Sequence, residues 1–204
     1  MSTLRRETAE TRVRVALEPG PAERGLTRGR GDGEARAEEA GPAAGAYAPA
    51  ITTGDAFLDH MLVTFARYSG LSVTIDATGD LRHHLVEDVA ITLGQVLGRD
   101  TPATCARYGG AVIPMDDALV QVSLDAGGRP HYEGRLPSRL YEHFFRSLAL
   151  NAGWTLHIRV IRGRDRHHIV EAGFKALALA VREALRDEGT VFSTKGGIGM
   201  EWEE

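Results

Sequence analysis

The chain repeats one uncommon segment. Arg82-His83-His84-Leu85-Val86-Glu87 returns 84 residues later as Arg166-His167-His168-Ile169-Val170-Glu171. Such a repeat restricts the fold to two related halves that present their histidines in the same local setting. His83 and Glu87 are four residues apart, as are His167 and Glu171, so on a helix each pair shares one face, a turn apart, and can grip one metal ion. The second histidine of each pair projects about 100° away around the axis and has to serve a different ion or a neighbouring chain.

The duplication extends upstream. His60, in Phe57-Leu58-Asp59-His60-Met61-Leu62, precedes His83 by 23 residues, and His143, in Leu140-Tyr141-Glu142-His143-Phe144-Phe145, precedes His167 by 24. Between each early histidine and its pair lies an alternating stretch, Leu71 to Ala77 and Thr155 to Val160, which predicts a strand with one buried face. A helical pattern follows each pair, so both halves read as helix, strand, metal-motif helix. The expected class is α+β, an internally duplicated pair of sheet-plus-helix halves with helices on one face of each sheet. Residues 1–100 make the first half and 101–204 the second.

The segment from Pro19 to about Ala50 breaks the pattern. It is dominated by Gly, Ala, Pro, Arg and Glu without a hydrophobic period, and reads as a solvated insert. Because Thr11 to Leu17 alternates like a strand, the insert is expected to interrupt an N-terminal hairpin. Its arginines are interspersed with acids, and its single aromatic, Tyr47, stands well apart from them, which argues against nucleic acid. With 24 basic and 28 acidic residues the net charge is −4, so neither nucleic acid nor an anionic membrane is attracted globally, and any anion site must be local. No apolar run approaches a membrane span, a single cysteine, Cys105, excludes an internal disulfide, and the N-terminus lacks a secretory signal. The expectation is a soluble, cytoplasmic protein.

Imidazole with carboxylate suits first-row divalent ions, whereas Mg²⁺ and Ca²⁺ prefer oxygen. Six histidines and two glutamates divide naturally into two sites of three nitrogens and one oxygen, with positions left open for substrate if the ion is six-coordinate. The adjacent histidines do not match the HExxH spacing of zinc proteases. A lone strand histidine such as His131 or His157 is more often structural, and neither is placed in the ligand set.

The ordered motifs resemble those of imidazoleglycerol-phosphate dehydratase: RETAET (6–11), TGDAFLDHML (53–62), HHLVED (83–88), ARYGGAVIPMDDAL (106–119), SLDAGGRP (123–130), EHFFRSLA (142–149), HHIVEAGFKALALAV (167–181) and FSTKGGIG (192–199). The resemblance covers both ends and everything between except the insert. It implies a fold of two ribosomal protein S5 domain 2-like halves and a lyase of histidine biosynthesis that removes water from imidazole glycerol phosphate. It further implies two Mn²⁺ ions per active site, and a homo-oligomeric shell of 24 subunits with sites at subunit boundaries. The implied metal ligands are His60, His83, His84, Glu87, His143, His167, His168 and Glu171.

By the same resemblance Glu10 is a catalytic carboxylate or substrate contact, and Glu171 a participant in proton transfer. Arg107, Arg129, Ser193 and Lys195 bind the substrate phosphate, the last two from a C-terminal tail. A ring held by metal can spread the negative charge of the carbanion, while the carboxylates act as acid and base. A dinuclear hydrolase would use the same ligands without explaining Glu10, and a metal-storage shell would not need the phosphate set.

Three positions depart from the family pattern. Most members carry aspartates before the first histidine pair in a longer connection, where this chain runs Gly79-Asp80-Leu81-Arg82-His83, so a carboxylate that orients a ligating imidazole is expected to be missing. Tyr68 and Thr64 stand where His and Gln are common.

Overall fold

The computed structural model describes residues 2–18 and 49–191. The first half runs β1 (Ser2–Glu7), β2 (Thr11–Glu18), β3 (Ala50–Thr52), α1 (Ala56–Ser69), β4 (Ser72–Gly79) and α2 (Arg82–Asp100). The second half repeats that order as β5 (Tyr108–Met115), β6 (Ala118–Asp125), β7 (His131–Gly134), α3 (Arg139–Ala152), β8 (Thr155–Arg162) and α4 (Arg166–Ala184). The sheets have matching orders, β1-β2-β4-β3 and β5-β6-β8-β7, with only the short β3 and β7 pairing in parallel. Two copies of one α+β plan are therefore present, each reading helix, strand, motif helix after its hairpin.

Alternation sets the inner faces. Val13, Val15 and Leu17 on β2, Val73, Ile75 and Ala77 on β4, and Val120, Val122 and Leu124 on β6 are buried. Helices cover these faces, and the halves meet through them, α1 against α4 and α2 against α3. Phe174 of α4 lies 5.0 Å from Phe144 and 4.8 Å from Phe145 of α3, ring centroid to centroid. Each such ring contributes roughly 1.5–3 kcal/mol by burial alone. His60 of α1 meets the start of α4, and His143 of α3 meets the start of α2, so the N-termini of all four helices gather at one end.

The insert does not interrupt the hairpin. β1 and β2 are joined by Thr8, Ala9 and Glu10, and residues 19–49 connect β2 to β3 instead. The corresponding connection in the second half, between β6 and β7, is only Ala126 to Pro130. The insert's own conformation lies outside the described residues. Its attachment at Glu18 pairs with Ser72, the start of β4, at the end of the sheet away from the histidine pairs.

Asp55 caps α1 by accepting from Leu58 N at 2.9 Å and also pairs with Arg82 at the start of α2. Burial pushes its carboxyl up, but the Arg82 guanidinium and the Leu58 N–H pull it further down, leaving it below the ordinary value of 3.8. A carboxyl lowered by folding stabilises above its unfolded value and loses that contribution as pH falls through the folded one. Asp55→Asn keeps the cap and loses the ion pair, so it is expected to cost less than Asp55→Ala, which loses about 1 kcal/mol more with the cap. Urea unfolding at neutral pH checks the order, and the gap between wild type and Asp55→Asn should close below pH 3.8.

Candidate metal centre and phosphate site

Two groups of side chains at the shared helix end can hold a metal ion: His60, His167 and Glu171, and His83, Glu87 and His143, each with its donor atoms within 4.8 Å of one another. Each combines the i, i+4 pair of one half with the early histidine of the other. In the first group Glu171 Oε2 lies 3.0 Å from His167 Nε2 and 3.6 Å from His60 Nε2. In the second, Glu87 Oε1 lies 3.0 Å from His143 Nε2, and Glu87 Oε2 lies 3.7 Å from His83 Nε2. The His83 and His143 rings stack at 5.1 Å. Phe57 stands edge-on to both His167 and Tyr141 at 5.1 Å, walling the first group.

The donor chemistry fits a cation. His143 Nε2 is buried and only 3.0 Å from a carboxylate oxygen, yet the approach is too far off axis for a hydrogen bond, and the nitrogen has no partner among the described residues. A nitrogen lone pair and a carboxylate converging in this way are mutually repulsive unless a positive charge lies between them. The N, N, O set is that of a first-row divalent ion.

The expected division into two sites of three nitrogens and one oxygen is not met within one chain. His84 and His168 stand outside both groups, because residue i+1 of a helix faces about 100° away from residue i. Each is instead held by carboxylates. His168 Nδ1 lies 2.7 Å from Asp117 Oδ1, with Asp116 Oδ2 3.3 Å from its Nε2, and His84 Nδ1 lies 2.9 Å from Asp80 Oδ1 and 3.5 Å from Glu10 Oε2. The missing orienting carboxylate expected before the first pair is therefore present. Asp80 supplies it from the strand side, because the two-residue connection between β4 and α2 places it one helical turn before His84. The His168 bond, with the N–H groups of Arg164 and Asp165, draws Asp117 down to about 2, and the Asp117 bond raises His168.

Glu10 reaches His84 because its turn is pinned. Glu10 N and Thr11 N donate to Thr8 Oγ1 at 3.1 and 3.0 Å, and Asp80 N donates to Glu10 O at 3.0 Å. The hairpin is tied to α2 through buried Asp88, which accepts from Arg6 Nε at 3.0 Å and from Thr11 Oγ1. The RETAET and HHLVED segments are thus one mechanical unit.

The sequence reading missed Lys175. Its ammonium lies 2.9 Å from Glu171 Oε1 and 3.0 Å from Met115 Sδ. Burial pushes the Glu171 carboxyl up, but Lys175 and His167 outweigh it, and the group sits below its ordinary value. The i, i+4 spacing from Glu171 to Lys175 was the available signal.

Arg107 and Arg129 lie elsewhere. Arg107 N donates to Ala184 O at the end of α4, 17 residues from His167, which is about 26 Å of helix. Arg107 has φ +70°, a left-handed conformation costly for a residue other than glycine, and grips Asp125 through Nε at 2.7 Å and Nη2 at 3.0 Å. A Cβ on Gly127 would meet Arg107 Nε at 3.1 Å, so the connection that carries exposed Arg129 closes over this side chain. Arg107 and Arg129 thus share one end of the second sheet. Ser193 and Lys195 lie outside the described residues. His131 and His157 sit exposed on the outer face of that sheet, with ring centroids 5.6 Å apart.

Among known proteins, the imidazoleglycerol-phosphate dehydratase family matches residues 53–181. The imidazoleglycerol-phosphate dehydratase of Pyrococcus furiosus is 47% identical over 156 residues, covering 72% of this chain and 88% of the relative. That of Desulforamulus reducens is 44% identical over 164 residues, covering 72% and 84%. The Pyrococcus furiosus crystal structure superposes with a TM-score of 0.76 at 37% identity, covering 96% of this chain and 100% of that one. The Staphylococcus aureus structure gives 0.71 at 33%, covering 91% and 98%. On the family match over most of the chain, the identities to these relatives and the shared fold, the chain belongs to the imidazoleglycerol-phosphate dehydratase family, hydro-lyases of histidine biosynthesis.

Proposed function

We propose that this chain dehydrates imidazole glycerol phosphate to imidazole acetol phosphate at sites shared between copies, with two Mn²⁺ ions per site, in a cytoplasmic shell of 24 subunits. The observation that carries the shared site is separation. Arg107 lies about 26 Å of helix from His167, too far for one small substrate to bridge within a chain. His84 and His168 face away from their own chain's donor groups, and each can complete the set of a neighbouring copy to three nitrogens and one oxygen. No helix among the described residues is long and apolar enough to cross a membrane.

The ions would be held by His60, His83, His84, Glu87, His143, His167, His168 and Glu171. When bound they supply Lewis acidity to the imidazole ring and the departing hydroxyl. The chain's own groups do the rest. Glu10, exposed beside His84, takes the proton from the second carbon out from the ring, whose hydroxyl becomes the ketone of the product, while the hydroxyl on the carbon next to the ring is the one that leaves. Glu171, steadied by Lys175 on Oε1, keeps Oε2 toward His167 and His60 and takes part in returning the proton that lets the hydroxyl leave as water. Arg107 and Arg129, with Ser193 and Lys195, bind the phosphate, the guanidiniums offering paired donors and Lys195 a point charge.

The test is turnover of imidazole glycerol phosphate by metal-stripped protein before and after Mn²⁺ is restored. Manganese-dependent imidazole acetol phosphate supports the reading, and a folded, reloaded protein that forms none overturns it. Asp125 gives a sharper prediction about the phosphate end. Its two hydrogen bonds fix the Arg107 fork, so Asp125→Ala is expected to raise KM about ten- to a hundredfold with kcat nearly unchanged, in line with roughly 1.5–3 kcal/mol for a charged hydrogen bond. An unchanged KM would remove Arg107 orientation from substrate binding.

A further inference from the structure

The two motif helices begin differently, and the difference singles out Asp80. At the start of α4, Asp165 caps the helix by accepting from His167 N at 2.7 Å. Asp117, reaching across from the β5–β6 turn, accepts from Arg164 N, Asp165 N and His168 Nδ1. Three residues, Gly163 to Asp165, join β8 to that helix. At the start of α2 only Asp80 and Leu81 intervene after β4, the cap position is Leu81, and no side chain caps it. Asp80 Oδ1 accepts from Leu81 N at 2.6 Å and from His84 Nδ1 at 2.9 Å, while Asp80 N donates to Glu10 O at 3.0 Å. One residue thus links the strand end, the helix start, the Glu10 turn and an imidazole. Arg82 braces the same turn by pairing with Asp55 at the start of α1.

A carboxylate only accepts, so the ring nitrogen facing it must carry the hydrogen, and the other nitrogen is left with its lone pair free. We propose that Asp80 is a positioning residue for metal binding: it locks His84 with Nδ1 donating and Nε2 available to an ion, taking over in the shortened first half the duty that Asp117 performs for His168. The inference rests on the reading of His84 as a ligand offered to a neighbouring copy. It goes further by assigning the orienting group to a residue on the strand side of the connection.

The experiment is Mn²⁺ titration of the metal-stripped full-length protein, followed by calorimetry and by the Mn²⁺ retained per chain at fixed free metal, with the melting temperature recorded alongside. His84→Ala, expected to bind Mn²⁺ far more weakly, tests the ligand reading. Asp80→Ala is expected to weaken Mn²⁺ binding 10- to 100-fold, the usual effect of losing a group that orients a ligating histidine, with Asp117→Ala as the matched comparator. Asp80→Asn, whose Oδ1 still accepts from Leu81 N and His84 Nδ1 but carries no charge, keeps the helix start intact and is expected to weaken binding less than Asp80→Ala, because a neutral acceptor no longer raises the basicity of Nε2, so the test survives if the alanine variant does not fold. Wild-type affinity in the Asp80 variants alongside a loss in His84→Ala overturns the positioning role and leaves the ligand reading standing. Wild-type affinity in His84→Ala overturns both.

Discussion

Glu171→Gln is expected to lose activity and stability together, whereas Glu87→Gln loses activity alone. The two carboxylates hold equivalent places in the duplicated fold, each facing one imidazole of its own helix and one from the other half. Their surroundings differ. The Glu171 side chain is 8% exposed and lies 2.9 Å from Lys175, itself 16% exposed, while Glu87 is 33% exposed and its neighbours are histidines. Removing one partner of a buried pair leaves the other charge desolvated and uncompensated, at a cost of about 3 kcal/mol. Glu171→Gln strands the Lys175 ammonium in this way, and Glu87→Gln strands nothing. For turnover the two should fall alike, by more than about a hundredfold, since even groups that merely orient a ligand cost 10- to 100-fold. Urea unfolding of the metal-stripped proteins, paired with Mn²⁺-dependent turnover, separates the effects. Equal stability in the two variants would mean that Lys175 finds water or Met115 sufficient. Full turnover in either would remove that glutamate from the ligand set.

The same comparison between halves shows what could be read beforehand. The helix, strand, helix order around each histidine pair was legible because amphipathic period and strand alternation are local properties. So was the outward turn of His84 and His168, which follows from helical geometry alone. The crossing of the groups was not, since which half's early histidine meets which pair depends on α1 packing on α4 and α2 on α3, a tertiary outcome. The attachment of the insert failed for a related reason. β3 is three residues long, too short to show alternation, and its parallel pairing with β4 leaves no local mark. The second half held the clue, because its Ala126 to Pro130 connection occupies the equivalent place. Arg107 in a left-handed conformation, gripping Asp125, is likewise a product of the packed sheet end. The loss of an orienting carboxylate was inferred from motif spacing, and Asp80 shows why spacing misleads. The short connection of this chain sets Asp80 within one turn of the ring.

Glu10→Gln is expected to lower kcat by about 10²- to 10⁴-fold, the range for a positioned acid or base, while Mn²⁺ content and assembly stay unchanged. The prediction follows from how Glu10 is held. Its place is set by main-chain bonds, Glu10 N to Thr8 Oγ1 and Asp80 N to Glu10 O, and by the Asp88 tie between the hairpin and α2. None of these depends on the carboxylate, so glutamine stands in the same position with the same shape. The carboxylate itself lies 3.5 Å from His84 Nδ1, a nitrogen already occupied by Asp80 at 2.9 Å, so the ring keeps its orientation without it. What the amide cannot do is accept a proton from carbon. Asp88→Ala offers the contrast: it leaves Glu10 chemically intact and releases the turn, so it should lower kcat together with stability, the contacts of buried Asp88 with Arg6 and Thr11 being lost. A Glu10→Gln protein with normal turnover would exclude Glu10 as the base. One that sheds Mn²⁺ would instead place the carboxylate among the groups that hold the metal, and proton abstraction would then have to be assigned to another side chain of the shared site.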